Sequence, residues 1–294
     1  MTRMNIEGVV LFSVTPIAAD GSIDYTRWKK HLDEALAAGI HSVTLFGSTG
    51  ANGYFTEAEK MKALEEVATH LGGKVPVMTG IGAMTTAESV RLAKHAAGAG
   101  ADAVLVVPLN YWKPTEREII THYEAVGAAS DLPMWLYNNP PLAGIDLTPA
   151  LVKKLSSIPT LVGMKDSSGD LSRAFMVPKI TGGKVKVGIG QDTLILEPAL
   201  AIAPAWFTGL ANICPAECVA FWNAAKAGDV AAAYAAAAKL FPLSEIGGRY
   251  GIIRVAHEGL ALMGKSAGYP RPPLLPLEPA AAAEVKAAMD DLFA

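Results

Sequence analysis

Leu161-Val162-Gly163-Met164-Lys165-Asp166-Ser167-Ser168-Gly169 reads as a short apolar strand that ends in a lysine and runs into a polar, glycine-closed turn. The same pattern recurs outward in both directions. Short β-branched runs alternate with longer alanine-rich segments of helical period, the signature of βα units on a parallel sheet. Strands are expected near 9–14, 42–45, 75–79, 103–107, 133–137, 161–165, 185–189 and 205–209. Amphipathic helices are expected over 25–38, 56–71, 86–97, 116–129 and 148–155. Thr56 with Glu59 and Thr115 with Glu118 have the spacing of capping boxes, while Gly39, Gly72 and Gly98 stand where helices end. Eight such units over residues 1–228 predict an α/β fold, a closed TIM (β/α)8 barrel of the usual size, about 250 residues. A doubly wound open sheet is the alternative, but it leaves two exposed edges and needs a topological switch. Residues 229–294 are expected to form a helical extension packed on the barrel, with helices over 229–240, 245–263 and 280–292. The connector 268–279 holds five of the nineteen prolines and is expected to be extended.

Composition narrows the functional classes. With 51% hydrophobic residues, 18% charged and a net charge of −3, the chain carries no electrostatic footprint for nucleic acid or an acidic membrane surface. Gly, Pro or charged residues interrupt every long apolar run, and the stretch from Met1 to Gly8 lacks the apolar core of a secretory signal, so a cytoplasmic protein is expected. Cys214 and Cys218 flank Pro215 and read as free, buried thiols in a reducing compartment. None of the six histidines stands near them, so no metal is expected.

In a barrel of this kind, chemistry belongs at the carboxyl ends of the strands. Lys165 closes an apolar strand, and a desolvated amine there is neutral enough to attack a ketone. The plainer reading is a lysine that reaches solvent or pairs with Asp166. Tyr137, closing Trp135-Leu136-Tyr137-Asn138-Asn139-Pro140, can relay a proton, or simply pack. Gly47-Ser48-Thr49-Gly50 offers backbone amides and two hydroxyls as a carboxylate cradle, although such residues mark any loop. Gly188-Ile189-Gly190-Gln191-Asp192 lets backbone approach a ligand and supplies an acceptor, or is only a turn. All four segments fall at the same end of expected strands two, five, six and seven.

These motifs resemble the family of dihydrodipicolinate synthase and N-acetylneuraminate lyase, from Val14-Thr15-Pro16 through Arg271-Pro272-Pro273-Leu274. The resemblance implies that Lys165 forms the imine, that Tyr137 shuttles the proton and that Ser48 with Thr49 holds a pyruvyl carboxylate. It also implies a homotetramer with no cofactor. Tyr111 resembles a residue lent across a subunit contact, in a motif one residue longer than usual. Several positions depart from the family pattern. Leu142 stands where the synthases carry a carboxylate-binding arginine, Thr193 where neuraminate lyases carry glutamate, and Ala51 in place of a frequent glutamate. Ile202 and Ala205 replace glycines, beside Pro204 and Trp206, and Phe207 replaces a smaller pocket residue. Leu142 resembles the neuraminate lyase and sugar-acid aldolase branch, which implies a 2-keto-3-deoxy sugar-acid type of substrate cleaved or formed at C3–C4 without a metal, while the bulkier Phe207 suggests a short or differently shaped one. The alternatives are a 4-hydroxy-tetrahydrodipicolinate synthase, a 2-oxo acid dehydratase or deaminase, or a silent keto-acid-binding barrel.

Overall fold

A computed structural model of the chain describes residues 3–294. Met1 and Thr2 of the amino-terminal stretch lie outside the described residues. Strands β1 (Gly8–Phe12), β2 (Ser42–Leu45), β3 (Val77–Gly80), β4 (Ala103–Val106), β5 (Met134–Asn138), β6 (Leu161–Asp166), β7 (Lys186–Ile189) and β8 (Ala205–Thr208) form one closed parallel barrel in sequence order. Closure is made by β8 pairing with β1, with Gly8 opposite Ala205 and Val10 opposite Phe207. That ladder removes the two free edges of the open-sheet alternative.

Around the barrel run α1 (Tyr25–Ala37), α2 (Glu57–Leu71), α3 (Thr86–Gly98), α4 (Glu116–Gly127), the single turn α5 (Pro140–Ala143), α6 (Pro149–Leu155), α7 (Arg173–Ile180), α8 (Leu196–Ala201) and α9 (Pro215–Lys226). Both expected capping boxes are present: Thr56 and Thr115 each accept from an N3 amide whose own glutamate reaches back to the cap amide. Alternation along the strands divides the apolar residues into two layers. Val9, Leu11, Val43, Val104 and Leu136 pack outward against the helices, whereas Val10, Phe12, Met78, Leu105, Trp135, Tyr137 and Phe207 fill the barrel. Phe207 lies edge-on to both Trp135, at 5.3 Å between centroids, and Phe12, at 5.8 Å. These rings close a floor inside the barrel.

Three carboxyl-terminal helices follow: α10 (Val230–Tyr250), α11 (Ile252–Leu262) and α12 (Pro279–Leu292). Their boundaries differ from the expected ones. The break expected around Pro242 does not occur, because α10 runs through it, its buried Leu240, Leu243 and Ile246 being held in the common core. The chain turns instead at Gly251, where φ is +89°, a conformation that favours glycine. The left-handed residue after α3 is likewise Gly100, at φ +90°, while Gly98 is the last residue of the helix itself. No helix of the described residues is long and apolar enough to cross a membrane.

One buried side chain ties the two ends of the barrel sequence together. Asn212, just past β8, accepts from the Val14 amide at 3.0 Å and donates to the carbonyls of Phe12 at 2.9 Å and Gly209 at 2.8 Å. Asn212→Ala leaves those buried groups without these bonds and is expected to cost about 2–4 kcal/mol. Urea denaturation of the two proteins measures it as a lowered midpoint with an unchanged slope.

Candidate active site

Lys165 projects from the end of β6 into the barrel and is 3% exposed. Its Nζ lies 3.4 Å from the ring centroid of Phe12 and 4.2 Å from that of Tyr137. The lysine ion pairs among the described residues are Lys29–Glu66, Lys154–Glu116, Lys265–Glu34 and Lys286–Asp290, so Lys165 has no carboxylate partner. Asp166, pointing the other way as strand alternation requires, accepts from Asn138 and Ser168, both at 2.7 Å. The readings of a solvent-facing lysine and of a Lys165–Asp166 pair are therefore both set aside. Burial drives the Lys165 amine below its ordinary value, against the opposing pull of Tyr137 and Asp192. The close fit extends to β7: a Cβ on Gly190 would stand 2.3 Å from Lys165 Cε, so this glycine makes room for the lysine stem.

Tyr137, next to Lys165 in the β5–β6 register, is also buried. Its hydroxyl lies 3.0 Å from Ser48 Oγ and accepts from Asn139 Nδ2 at 2.9 Å. Burial by itself would raise the phenol, but the Lys165 charge and the bonds to Ser48 and Asn139 outweigh it, and the net displacement is downward. The two groups are coupled, the Lys165 charge drawing the phenol down and the phenol drawing the amine up, so a proton can pass between them at low cost.

Ser48 and Thr49 sit in the turn after β2, bracketed by Phe46 at φ +52° and Ala51 at φ +54°. A buried phenylalanine in the left-handed region is strained and has to be held there by its surroundings. Phe46 packs against Trp28 and Phe55, at 5.9 and 5.4 Å between ring centroids. Among the described residues, the amides of Ser48 and Thr49 donate to no group of the chain, leaving two backbone N–H groups for an anion.

Lys165, Tyr137, Ser48, Thr49, Gly190, Asp192 and Phe207, expected from sequence as site residues, all line one cavity of about 280 Å³. Tyr111 does not. It is 86% exposed on the loop after β4, edge-on to Trp112, and borders a separate groove with Met84. Asp192 accepts from Trp206 Nε1 at 2.9 Å. The protein around it pushes its carboxyl up to about 6, against the bonds from Thr208 and Trp206 and the charge of Lys165.

The structure adds residues that the sequence did not single out. Asn139 orients the Tyr137 hydroxyl, and its place two residues after the tyrosine was the one available hint. Ser167 lines the cavity with a buried Oγ that has no partner. Ser244, Gly247, Gly251 and Ile252 bring the α10–α11 elbow into the wall, with no signal in sequence because they lie far along the chain. Among the described residues, no group of three or more His, Cys, Asp or Glu side chains converges.

The fold and the site together define a (β/α)8 barrel with an unpaired, buried lysine facing a phenol and an amide turn at the carboxyl end of its strands. The chain belongs to the dihydrodipicolinate synthetase family of lyases, whose sequence pattern it matches over residues 5–292. The 4-hydroxy-tetrahydrodipicolinate synthase of Acidiphilium cryptum strain JF-5 is 32% identical over 285 residues, 97% of this chain and 98% of that one. The enzyme of the same name from Alcanivorax borkumensis strain SK2 is 34% identical over 238 residues, 81% of each chain. In structure, a protein of Pseudomonas aeruginosa assigned to the dihydrodipicolinate synthetases superposes with a TM-score of 0.94 at 30% identity, over 98% of this chain and 100% of that one. A prophage protein of the dihydrodipicolinic acid synthase family from E. coli K12, solved in complex with pyruvate, gives 0.91 at 28% identity over 98% of both chains.

The raised Asp192 carboxyl has a consequence for stability. The folded state holds this proton more tightly than the unfolded chain, so the contribution of Asp192 is greatest at low pH and is lost as pH rises from its ordinary 3.8 through about 6. Asp192→Asn, which keeps an acceptor for Trp206, is expected to gain melting temperature relative to the parent across that window. A constant difference between pH 4 and pH 7 would contradict the assignment.

Proposed function

We propose that the protein is a metal-independent lyase of the class I aldolase type, which binds pyruvate as an imine on Lys165 and makes or breaks the C3–C4 bond of a longer 2-oxo acid. The observation that carries this reading is the buried Lys165 amine, free of any carboxylate and in register with Tyr137. The neutral amine adds to C2 and water leaves as the imine forms. Tyr137 takes up a C3 proton to give the enamine, whose C3 attacks the carbonyl carbon of a partner while Tyr137 passes that proton to the partner's oxygen. Hydrolysis then returns the lysine. Ser48, Thr49 and their amides hold the pyruvyl carboxylate, and the protonated imine is the electron sink.

The names of the curated relatives favour a 4-hydroxy-tetrahydrodipicolinate synthase over the sugar-acid cleavage expected from Leu142. One observation still favours a different second substrate. Leu142 lies 71% exposed at the cavity mouth and offers no donor to a carboxylate. The dehydratase and deaminase outcomes share the same imine. A silent binding barrel would have no need of a buried amine set against a phenol.

Assembly belongs to the same reading. Tyr111, Trp112 and Met84 are 86%, 85% and 57% exposed around one groove, and such a patch fits a contact between copies, in line with the homotetramer that the family resemblance implies. The free, buried Cys214 and Cys218 fit the cytoplasm.

Borohydride added with pyruvate is expected to leave a reduced pyruvyl adduct on Lys165, located by peptide mass spectrometry, and none on Lys165→Ala. The rate of adduct formation should level off below pH 10.5, the ordinary lysine value, because the amine is shifted down. Tyr137→Phe should still be trapped, yet lose about 10²–10⁴-fold in turnover. An adduct on another lysine, or none, would overturn the reading.

A further inference from the structure

The catalytic cavity opens into a second one of about 420 Å³, and the two share Ser48, Tyr137, Asn139, Leu142, Gly251 and Ile252. The walls peculiar to the second cavity are mostly apolar, among them Leu105, Val107, Leu109 and Leu274, and a single arginine, Arg254, lines it. Beside Lys165, no lysine or arginine lines the catalytic cavity itself. Arg27, Arg91, Arg173, Arg249 and Arg271 each pair with a carboxylate. Arg254 has no such partner among the described residues. Its Nη1 donates to the Tyr250 carbonyl at 3.1 Å, which leaves most of its five N–H donors unused.

Its position follows from the α10–α11 elbow. Gly251 takes φ +89°, and a Cβ there would stand 3.2 Å from Arg254 Nη1. The missing side chain lets the guanidinium lie against a residue that itself walls the catalytic cavity. A half-buried, unpaired guanidinium in an apolar-walled pocket is suited to a carboxylate, because the planar fork donates to both oxygens and the apolar walls strengthen the attraction.

We propose that Arg254 receives the carboxylate of the partner that meets pyruvate on Lys165, so that this enzyme selects substrates anionic at both ends although Leu142 guards the shared mouth. The proposal rests on the imine reading above. Arg254 is a specificity-determining residue that contacts the far end of the substrate, away from the reacting carbon.

The probes are 2-oxoadipate and 2-oxohexanoate, equal in length and ending in a carboxylate or a methyl group. Calorimetric titration is expected to show the parent protein binding 2-oxoadipate more tightly. Arg254→Gln should weaken 2-oxoadipate about 10–100-fold and move 2-oxohexanoate by less than about 3-fold, with Arg254→Lys recovering part of the loss. Melting curves of both variants separate this from a loss of fold caused by the missing bond to Tyr250. Equal affinity of the parent for the two acids, or an equal effect of Arg254→Gln on both, would overturn the proposal. Pyruvate trapping on the parent reads the underlying mechanism separately. Trapping without a preference for the dicarboxylate removes the Arg254 site alone. A preference abolished by Arg254→Gln, without trapping, removes the imine and keeps the site.

Discussion

An amine without a counter-ion inside a barrel is the constraint on which the rest of this structure depends. A charged lysine at 3% exposure is expensive, and the protein relieves that cost by favouring the neutral form rather than by supplying a carboxylate. The surroundings follow from that choice. Phe12 and Tyr137 present ring faces to Nζ, Gly190 clears space for the stem, and the nearest carboxylate on the strand, Asp166, is engaged by Asn138 and Ser168. Asp192, which lines the same cavity, draws the amine toward its charged form, a smaller effect than burial.

Barrel closure turns that local chemistry into a site. Parallel strands in sequence order put the ends of β2, β5, β6, β7 and β8 on one rim, so residues more than a hundred positions apart meet across a few ångströms. The aromatic floor of Phe12, Trp135 and Phe207 seals the barrel beneath. The strained turn around Ser48 and Thr49 is held from outside by Phe46 packed on Trp28 and Phe55. The α10–α11 elbow completes the wall and carries Arg254 to the adjoining pocket. Family membership and the departures from its pattern are thus compatible: the lysine, the tyrosine and the hydroxyl turn line one cavity, while Leu142 and Thr193 at its wall and Phe207 in its floor differ.

Local physics was legible in the sequence. Strand positions, both capping boxes and the lysine, tyrosine and hydroxyl turn at strand ends depend on residues within a few positions of each other, and the structure places them as read. The helix boundaries at Pro242 and Gly251 were misjudged because the core contacts of Leu240, Leu243 and Ile246 outweigh the missing proline amide. Tyr111, expected to reach a neighbour's site across a subunit contact, stands exposed on the loop after β4, away from the cavity of its own chain.

By itself the sequence determined the kind of barrel and the identity of the amine and phenol, since periodicity and strand-end chemistry are short-range properties. Only the tertiary structure decided that Lys165 is unpaired, that Asn139 orients the phenol, that Ser167 is left without a partner and that Arg254 borders the adjoining cavity. Those facts depend on which distant residues occupy the same few ångströms, and chain closure alone sets that.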